Sequence, residues 1–160
     1  MFITVRPDHL KDGRLLAVTG KGFYGSDDGG RTWEHRMEGL GLGYTVGLHV
    51  SPDVAGELLV AAGQVPPGIN GLVYNSQDAS HSWEQLVDEA LPEQYGRVPV
   101  VFFADNSSWI ATQEGQIFQS RKVRGPGSLA GELPVGINAA TSQDGPSSID
   151  SGFHVEERSP

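Results

Sequence analysis

The 160-residue sequence has no cysteine, which excludes disulfides and thiolate metal sites and leaves the redox compartment undetermined. Basic residues are scarce, 11 Lys and Arg against 20 Asp and Glu. The formal charge of -9 argues against a nucleic-acid backbone or an anionic membrane surface as partner. No stretch approaches the ~20 apolar residues of a spanning helix. Arg6, Pro7 and Asp8 follow Met1 too soon for an apolar signal core. The expectation is a soluble chain without a visible export signal, cytoplasmic by default. Apolar residues make up 38%, a little low, yet the length is enough for one domain with a real core.

Glycine (22) and proline (10) are plentiful, a balance that favours short strands and turns over helices. Phe2 to Val5 reads as a strand, Leu15 to Val18 as the next, and Gly20-Lys21-Gly22 as a tight connection to Phe23-Tyr24. Trp33 to Arg36 reads as an outer strand and Gly39 to Gly43 as a flexible join. The order then recurs. Tyr44 to Val50 alternates polar and apolar residues, as a half-buried strand does. Val5-Arg6-Pro7-Asp8 matches Val50-Ser51-Pro52-Asp53, and Leu15 to Gly20 matches Leu58 to Gly63. Gly22-Phe23-Tyr24 matches Leu72-Val73-Tyr74 after an insertion around Gln64 to Gly68. A third pass runs through Pro99 to Phe103, Trp109 to Thr112 and Gln116 to Ser120.

The stretch Ser26-Asp27-Asp28-Gly29-Gly30-Arg31-Thr32-Trp33 returns 50 residues later as Ser76-Gln77-Asp78-Ala79-Ser80-His81-Ser82-Trp83. Ser26 and Asp28 are short acceptors able to bond backbone N–H groups inside a turn. Gly29 and Gly30 allow positive φ, and Trp33 offers apolar surface to pin the turn against a sheet. The frame Ser-x-Asp-x-Gly-x-Thr-Trp resembles the Asp-box of the bacterial neuraminidase repeat, found in sialidases, sortilin-type receptors, some glucan hydrolases and photosystem assembly factors. The first copy fills all five fixed positions, Ser26, Asp28, Gly30, Thr32 and Trp33. The second keeps Ser76, Asp78 and Trp83, with Ser80 in place of Gly and Ser82 in place of Thr. The resemblance implies an all-β fold of four-stranded antiparallel β-propeller blades. It places each box between the third and fourth strands of a blade, at the rim away from the central cleft, with Trp33 and Trp83 packed in the core.

Read as blades, the units span about 1–43, 44–95 and 96–120 onward, with 121–160 a degenerate continuation. A third box is due at Ser120, 44 residues after Ser76, but Lys122, Arg124, Pro126 and Gly127 stand where Asp, Gly, Thr and Trp belong. Decay of the repeat and a shift of reading frame near Arg121 both account for this. Glu132 to Ala140 reads as the first strand of a fourth unit, and beyond Thr141 the composition is that of a disordered tail. Closed propellers need ~4–8 blades. About three units are therefore expected to be part of a propeller: a fragment or truncated frame, which is preferred, or a protomer that completes a ring by association.

Candidate chemistry is sparse. Arg6, Arg14, Arg31, Arg36 and Arg97 are present, but the Phe-Arg-Ile-Pro motif of sialidases is missing. Asp27 and Asp28 belong to the turn, while Asp8, Asp53 and Asp105 sit at strand ends as turn formers. His9, His35, His49, His81 and His154 show no i, i+2 or i, i+4 spacing, so no metal site is assigned. Gly39 to Gly43 lacks the strand-to-helix setting of a dinucleotide loop, so no cofactor is assigned. Trp109 reads as a buried strand aromatic, and the Val65 to Asn70 insertion as a surface loop on a possible binding face. The sequence thus suggests a non-catalytic propeller repeat, a binding or assembly scaffold for a protein or carbohydrate ligand. The alternative is a piece of a sialidase-like or glucanase-like glycoside hydrolase whose catalytic residues lie outside this chain. A truncated product without independent function is the third reading.

Overall fold

A computed structural model describes residues 2–5, 13–64, 68–87, 91–97, 100–104, 107–121, 127–133, 140–141 and 154–155. Every element among them is a β-strand. The first sheet is a meander of β1 (Phe2–Val5), β2 (Leu15–Thr19), β3 (Gly22–Ser26) and β4 (Glu34–His35), in that order. The second repeats it with β5 (Tyr44–Val50), β6 (Leu58–Gln64), β7 (Ile69–Ser76) and β8 (Glu84–Gln85). A short β9 (Tyr95–Arg97) pairs with the start of β7. The third sheet runs β10 (Val100–Ala104), β11 (Ser107–Ala111), β12 (Gln116–Arg121) and β13 (Gly127–Glu132). All neighbours within these sheets are antiparallel.

The apolar pattern decides how the sheets stack. Along β6 every residue from Leu58 to Ala62 is buried, because the middle sheet is covered on both faces. Alternate side chains then point to opposite sides. Leu58, Val60 and Ala62 join Leu16, Val18 and Phe23 of the first sheet in one cluster, with Tyr74 and Trp83. Leu59, Ala61 and Val73 join Val101, Phe103, Ile110 and Phe118 of the third sheet in another. Three four-stranded blades therefore stack face to face through two apolar seams.

Three stretches fill out or revise the sequence reading. Gly127 to Glu132, where the repeat pattern is lost from the sequence, is the fourth strand of the third blade and pairs with β12. Glu132 closes that blade rather than opening a fourth, and residues 134–139 lie outside the described residues. An outer strand needs only backbone groups to join its ladder, so Gly127 and Gly131 do not prevent it. In the segment read as a tail, β14 (Ala140–Thr141) pairs with β15 (His154–Val155), and the rest lies outside the described residues. In the insertion, Ile69 and Asn70 belong to β7, where Ile69 pairs with Gln64 and with Arg97 of β9. Residues 65–67 are outside the described set.

Candidate functional site

The two repeated stretches form corner turns at the same place in successive blades, each leaving the third strand and entering the fourth. The hydrogen bonds of their serine and aspartate side chains match atom for atom. In the first, Ser26 Oγ donates to Asp28 Oδ1 at 2.9 Å and accepts from the Gly30 N–H at 2.9 Å. Asp28 Oδ1 accepts from the Thr32 N–H at 2.9 Å and Oδ2 from the Thr32 hydroxyl at 2.7 Å. In the second, Ser76 Oγ donates to Asp78 Oδ1 at 2.8 Å and accepts from the Ser80 N–H at 3.0 Å. Asp78 accepts from the Ser82 N–H at 2.9 Å and from its hydroxyl at 2.6 Å. Serine replaces threonine at 82 without loss, since the bond needs only the hydroxyl.

The backbone matches as well. Gly29 and Gly30 have φ of 74° and 86°, and Ala79 and Ser80 take φ of 62° and 76° at the same two places. The second corner therefore holds two L-residues in the left-handed region, where Cβ crowds the backbone. Each corner is also tied to the turn before the second strand. The Gly29 N–H donates to the Gly13 carbonyl at 2.8 Å, and the Ala79 N–H to the Gly56 carbonyl at 2.9 Å. Sequence reasoning passed over Gly56, although Gly-x-Leu-Leu at Gly13 and again at Gly56 carries the signal.

The corners differ in what covers them. Trp83 is buried and meets Phe23 of the first blade edge to face, ring centroids 4.8 Å apart. Its indole donates to the Arg36 carbonyl at 3.1 Å and its backbone N–H to the Glu38 carbonyl at 2.9 Å. The exit loop of the first blade thus clasps the second. Gly39, with φ of 81°, makes room for it, since a Cβ there would fall 1.9 Å from the Trp83 carbonyl oxygen. Trp33, expected in the core, is 39% exposed. Its indole turns back to the Gly30 carbonyl of its own corner, at 3.2 Å.

Arg36 crosses the same seam. Its buried guanidinium donates to Glu34 at 2.9 Å, to Asp27, and to Ser80 Oγ of the second corner at 3.2 Å. It lies flat against Gly25, where a Cβ would come within 2.6 Å of it. Arg14 also reaches Asp27, at 2.8 Å. Asp27, assigned only to the turn from sequence, is the residue on which two arginines converge. Burial pushes its carboxyl up, but the bonds from Arg36 and Arg14 outweigh this and hold it below the ordinary range.

The corner carboxylates are held ionised. Bonds from the Thr32 N–H and hydroxyl bring Asp28 down to about 2. For Asp78, burial acts upward, but the Ser82 hydroxyl and N–H bring it to about 2 as well. Neither has a proton to give near neutrality, so their chemistry is that of fixed acceptors. An open hollow of about 140 Å³ beside the second corner is lined by Asn75, Ser76, Gln77, Asp78, Ser82 and Glu84. Among the described residues no group of three His, Cys, Asp or Glu could hold a metal ion.

The other candidates are dispersed. Arg31 and Asp53 are exposed, and Arg97 reaches Gln113 at 3.4 Å. Trp109 stacks on Phe102 at 6.2 Å and donates to the Ala104 carbonyl, as a strand aromatic. His49 lies in the second seam, its Nδ1 accepting from the Phe103 N–H at 3.2 Å. Burial holds its imidazolium form below the ordinary range. Arg6, Asp8, His9 and Asp105 lie outside the described residues, as do the side chains of Arg121 and His154.

No family model and no curated protein sequence matches the chain. Solved structures do. A GH74 xyloglucanase from Xanthomonas campestris superposes with a TM-score of 0.60 at 17% identity, over 79% of this chain and 20% of its own. YCF48 bound to a D1 peptide gives 0.59 at 17% identity, over 84% of this chain and 42% of its own. YCF48 from Cyanidioschyzon merolae gives 0.54 at 20% identity, over 76% and 36%. The chain therefore spans less than half the length of each of these proteins. Among the described residues no helix is long and apolar enough to cross a membrane. The likeness to these β-propellers and the stacked antiparallel blades agree: the chain has the fold of part of a β-propeller.

Proposed function

We propose that the two corners are Asp-boxes and that the chain is a non-catalytic segment of an Asp-box propeller, a scaffold that presents loops to a protein or carbohydrate ligand. The observation that carries this reading is the identical use of the polar side chains in both corners. Ser26, Asp28 and Thr32, and again Ser76, Asp78 and Ser82, spend their hydrogen-bonding capacity on their own turn. Asp27 is likewise committed to Arg14 and Arg36. These groups brace the rim of the blades and leave ligand contact to other loops.

The likeness to a GH74 xyloglucanase supports a second reading, in which this chain is a piece of a glycoside hydrolase with its catalytic carboxylates on blades elsewhere. A turnover assay tests the first reading, while the second calls for paired carboxylates at strand ends of blades outside this chain. The purified chain is incubated with xyloglucan and with a fluorogenic sialoside, and released reducing sugar or fluorophore is measured. The scaffold reading expects no turnover above buffer. Turnover at enzymatic rates that survives repurification contradicts it.

A further inference from the structure

Arg36 and Leu86 stand at the same place in successive blades. The Arg36 N–H donates to the Phe23 carbonyl at 3.0 Å, and the Leu86 N–H to the Val73 carbonyl at 2.8 Å. Register extends the match. Gly25 pairs with Leu16 and with Glu34, as Asn75 pairs with Leu59 and with Glu84. Asp27 follows Ser26 as Gln77 follows Ser76. In the first blade this place is full: the Arg36 guanidinium lies on Gly25 and bonds Glu34 and Asp27, and its side chain is 4% exposed. In the second blade Leu86 brings no charge and packs into the second seam. The hollow of about 140 Å³ is lined there by Asn75, Gln77 and Glu84, the equivalents of all three residues that Arg36 meets in its own blade. Its fourth contact, Ser80, comes from the next corner; the counterpart in the third blade, Arg124 by its distance from Ser120, lies outside the described residues.

We propose that this hollow binds a guanidinium cation from outside the chain, with the Glu84 carboxylate and the amide oxygens of Asn75 and Gln77 accepting its N–H groups. Asn75 is 3% exposed and lines the hollow, and among the described residues nothing bonds its side-chain amide. A buried amide without a partner is costly, and a ligand N–H removes that cost. Among the described residues no cation pairs with Glu84 or Asp78. Asp78 spends its oxygens on Ser76 and Ser82 and is held ionised, so it adds negative charge to the wall. A planar fork of N–H donors suits one carboxylate flanked by amide oxygens, as the equivalent place in the first blade already demonstrates with Arg36. That chemistry comes from a small guanidinium compound or from an arginine side chain of a peptide.

The test titrates the full, nitrogen-15-labelled chain with methylguanidinium and with a capped Gly-Arg-Gly tripeptide, using methylurea as the uncharged control. Saturable amide shifts are expected at Asn75, Gln77 and Glu84, and none at Gly25, Asp27 and Glu34, where Arg36 already fills the place. Several-fold tighter binding of the tripeptide assigns the site to a peptide arginine, and equal affinities assign it to the small cation. Glu84→Gln, at an exposed position that leaves the fold intact, is expected to weaken binding about tenfold. Asn75→Leu is expected to weaken it as well. No saturable shift at millimolar probe overturns the proposal, as do equal shifts at the two blades, equal shifts with methylurea, or undiminished binding by Glu84→Gln. Binding that appears only in Arg124→Ser also overturns it, assigning the hollow to the chain's own arginine.

Discussion

Gly29 and Ala79 occupy the same place in the two corners, which allows a reciprocal substitution. Both have left-handed φ, 74° and 62°. A Cβ added at Gly29 would have nothing within 4 Å, so Gly29→Ala introduces backbone strain and no packing clash. Holding an L-residue in that region costs about 1–2 kcal/mol. Replacing glycine by alanine returns about 0.4–1 kcal/mol by restricting the unfolded chain. Gly29→Ala is therefore expected to destabilise by about 0.5–1 kcal/mol, and Ala79→Gly to stabilise by a similar amount. The gain at Ala79 is trimmed because its methyl is half-buried. For a domain of this size each kcal/mol moves Tm by about 2–4 °C. Urea unfolding of both single variants and the double variant measures the effect, with the double returning near the parent. A neutral or stabilising Gly29→Ala, or a destabilising Ala79→Gly, refutes the claim that the corners share one backbone conformation.

The corner carboxylates predict an acid limb. Asp28 and Asp78 are lowered from 3.8 to about 2, so the stability they contribute is complete above 3.8 and is lost as pH falls toward about 2. Asp28→Asn combined with Asp78→Asn should flatten that limb in acid unfolding followed by near-UV circular dichroism; an unchanged limb contradicts the bonding described. His49 acts at higher pH and with the same sign. Its folded form titrates below the ordinary 6.5, so the unfolded chain takes the proton first and stability falls as pH drops below 6.5. His49→Leu should remove that component from urea midpoints measured at pH 7.5 and at acidic pH, and an identical pH slope in the variant contradicts it.

What the sequence shows, and what it hides, follows the range of the interactions. The corners are legible because the bonds of Ser26, Asp28 and Thr32 close within eight consecutive residues, and Ser, Asp, Gly and Thr at those spacings have few other uses. The continuous apolar run Leu58 to Ala62 is legible as a strand through its match to Leu15 to Gly20, and its burial on both faces is what the stacked sheets add. The fate of the two tryptophans was not legible, because burial of Trp83 depends on Phe23 and Arg36 of another blade. Nothing local sets Arg36 apart from the other arginines, yet it reaches Ser80 across 44 positions of sequence. The fourth strand of the third blade escaped notice because Gly127 and Gly131 carry no side-chain alternation, while the ladder they join is a backbone property.

The central claim is that the corner of the second blade is bolted to the face of the first through Trp83. A double-mutant cycle on Phe23→Leu and Trp83→Phe, read by urea unfolding, tests it most directly. An edge-to-face pair at 4.8 Å predicts a coupling of about 0.5–1.5 kcal/mol. Additivity within about 0.3 kcal/mol would mean that the two rings do not meet across a seam, and would contradict the stacking of the blades.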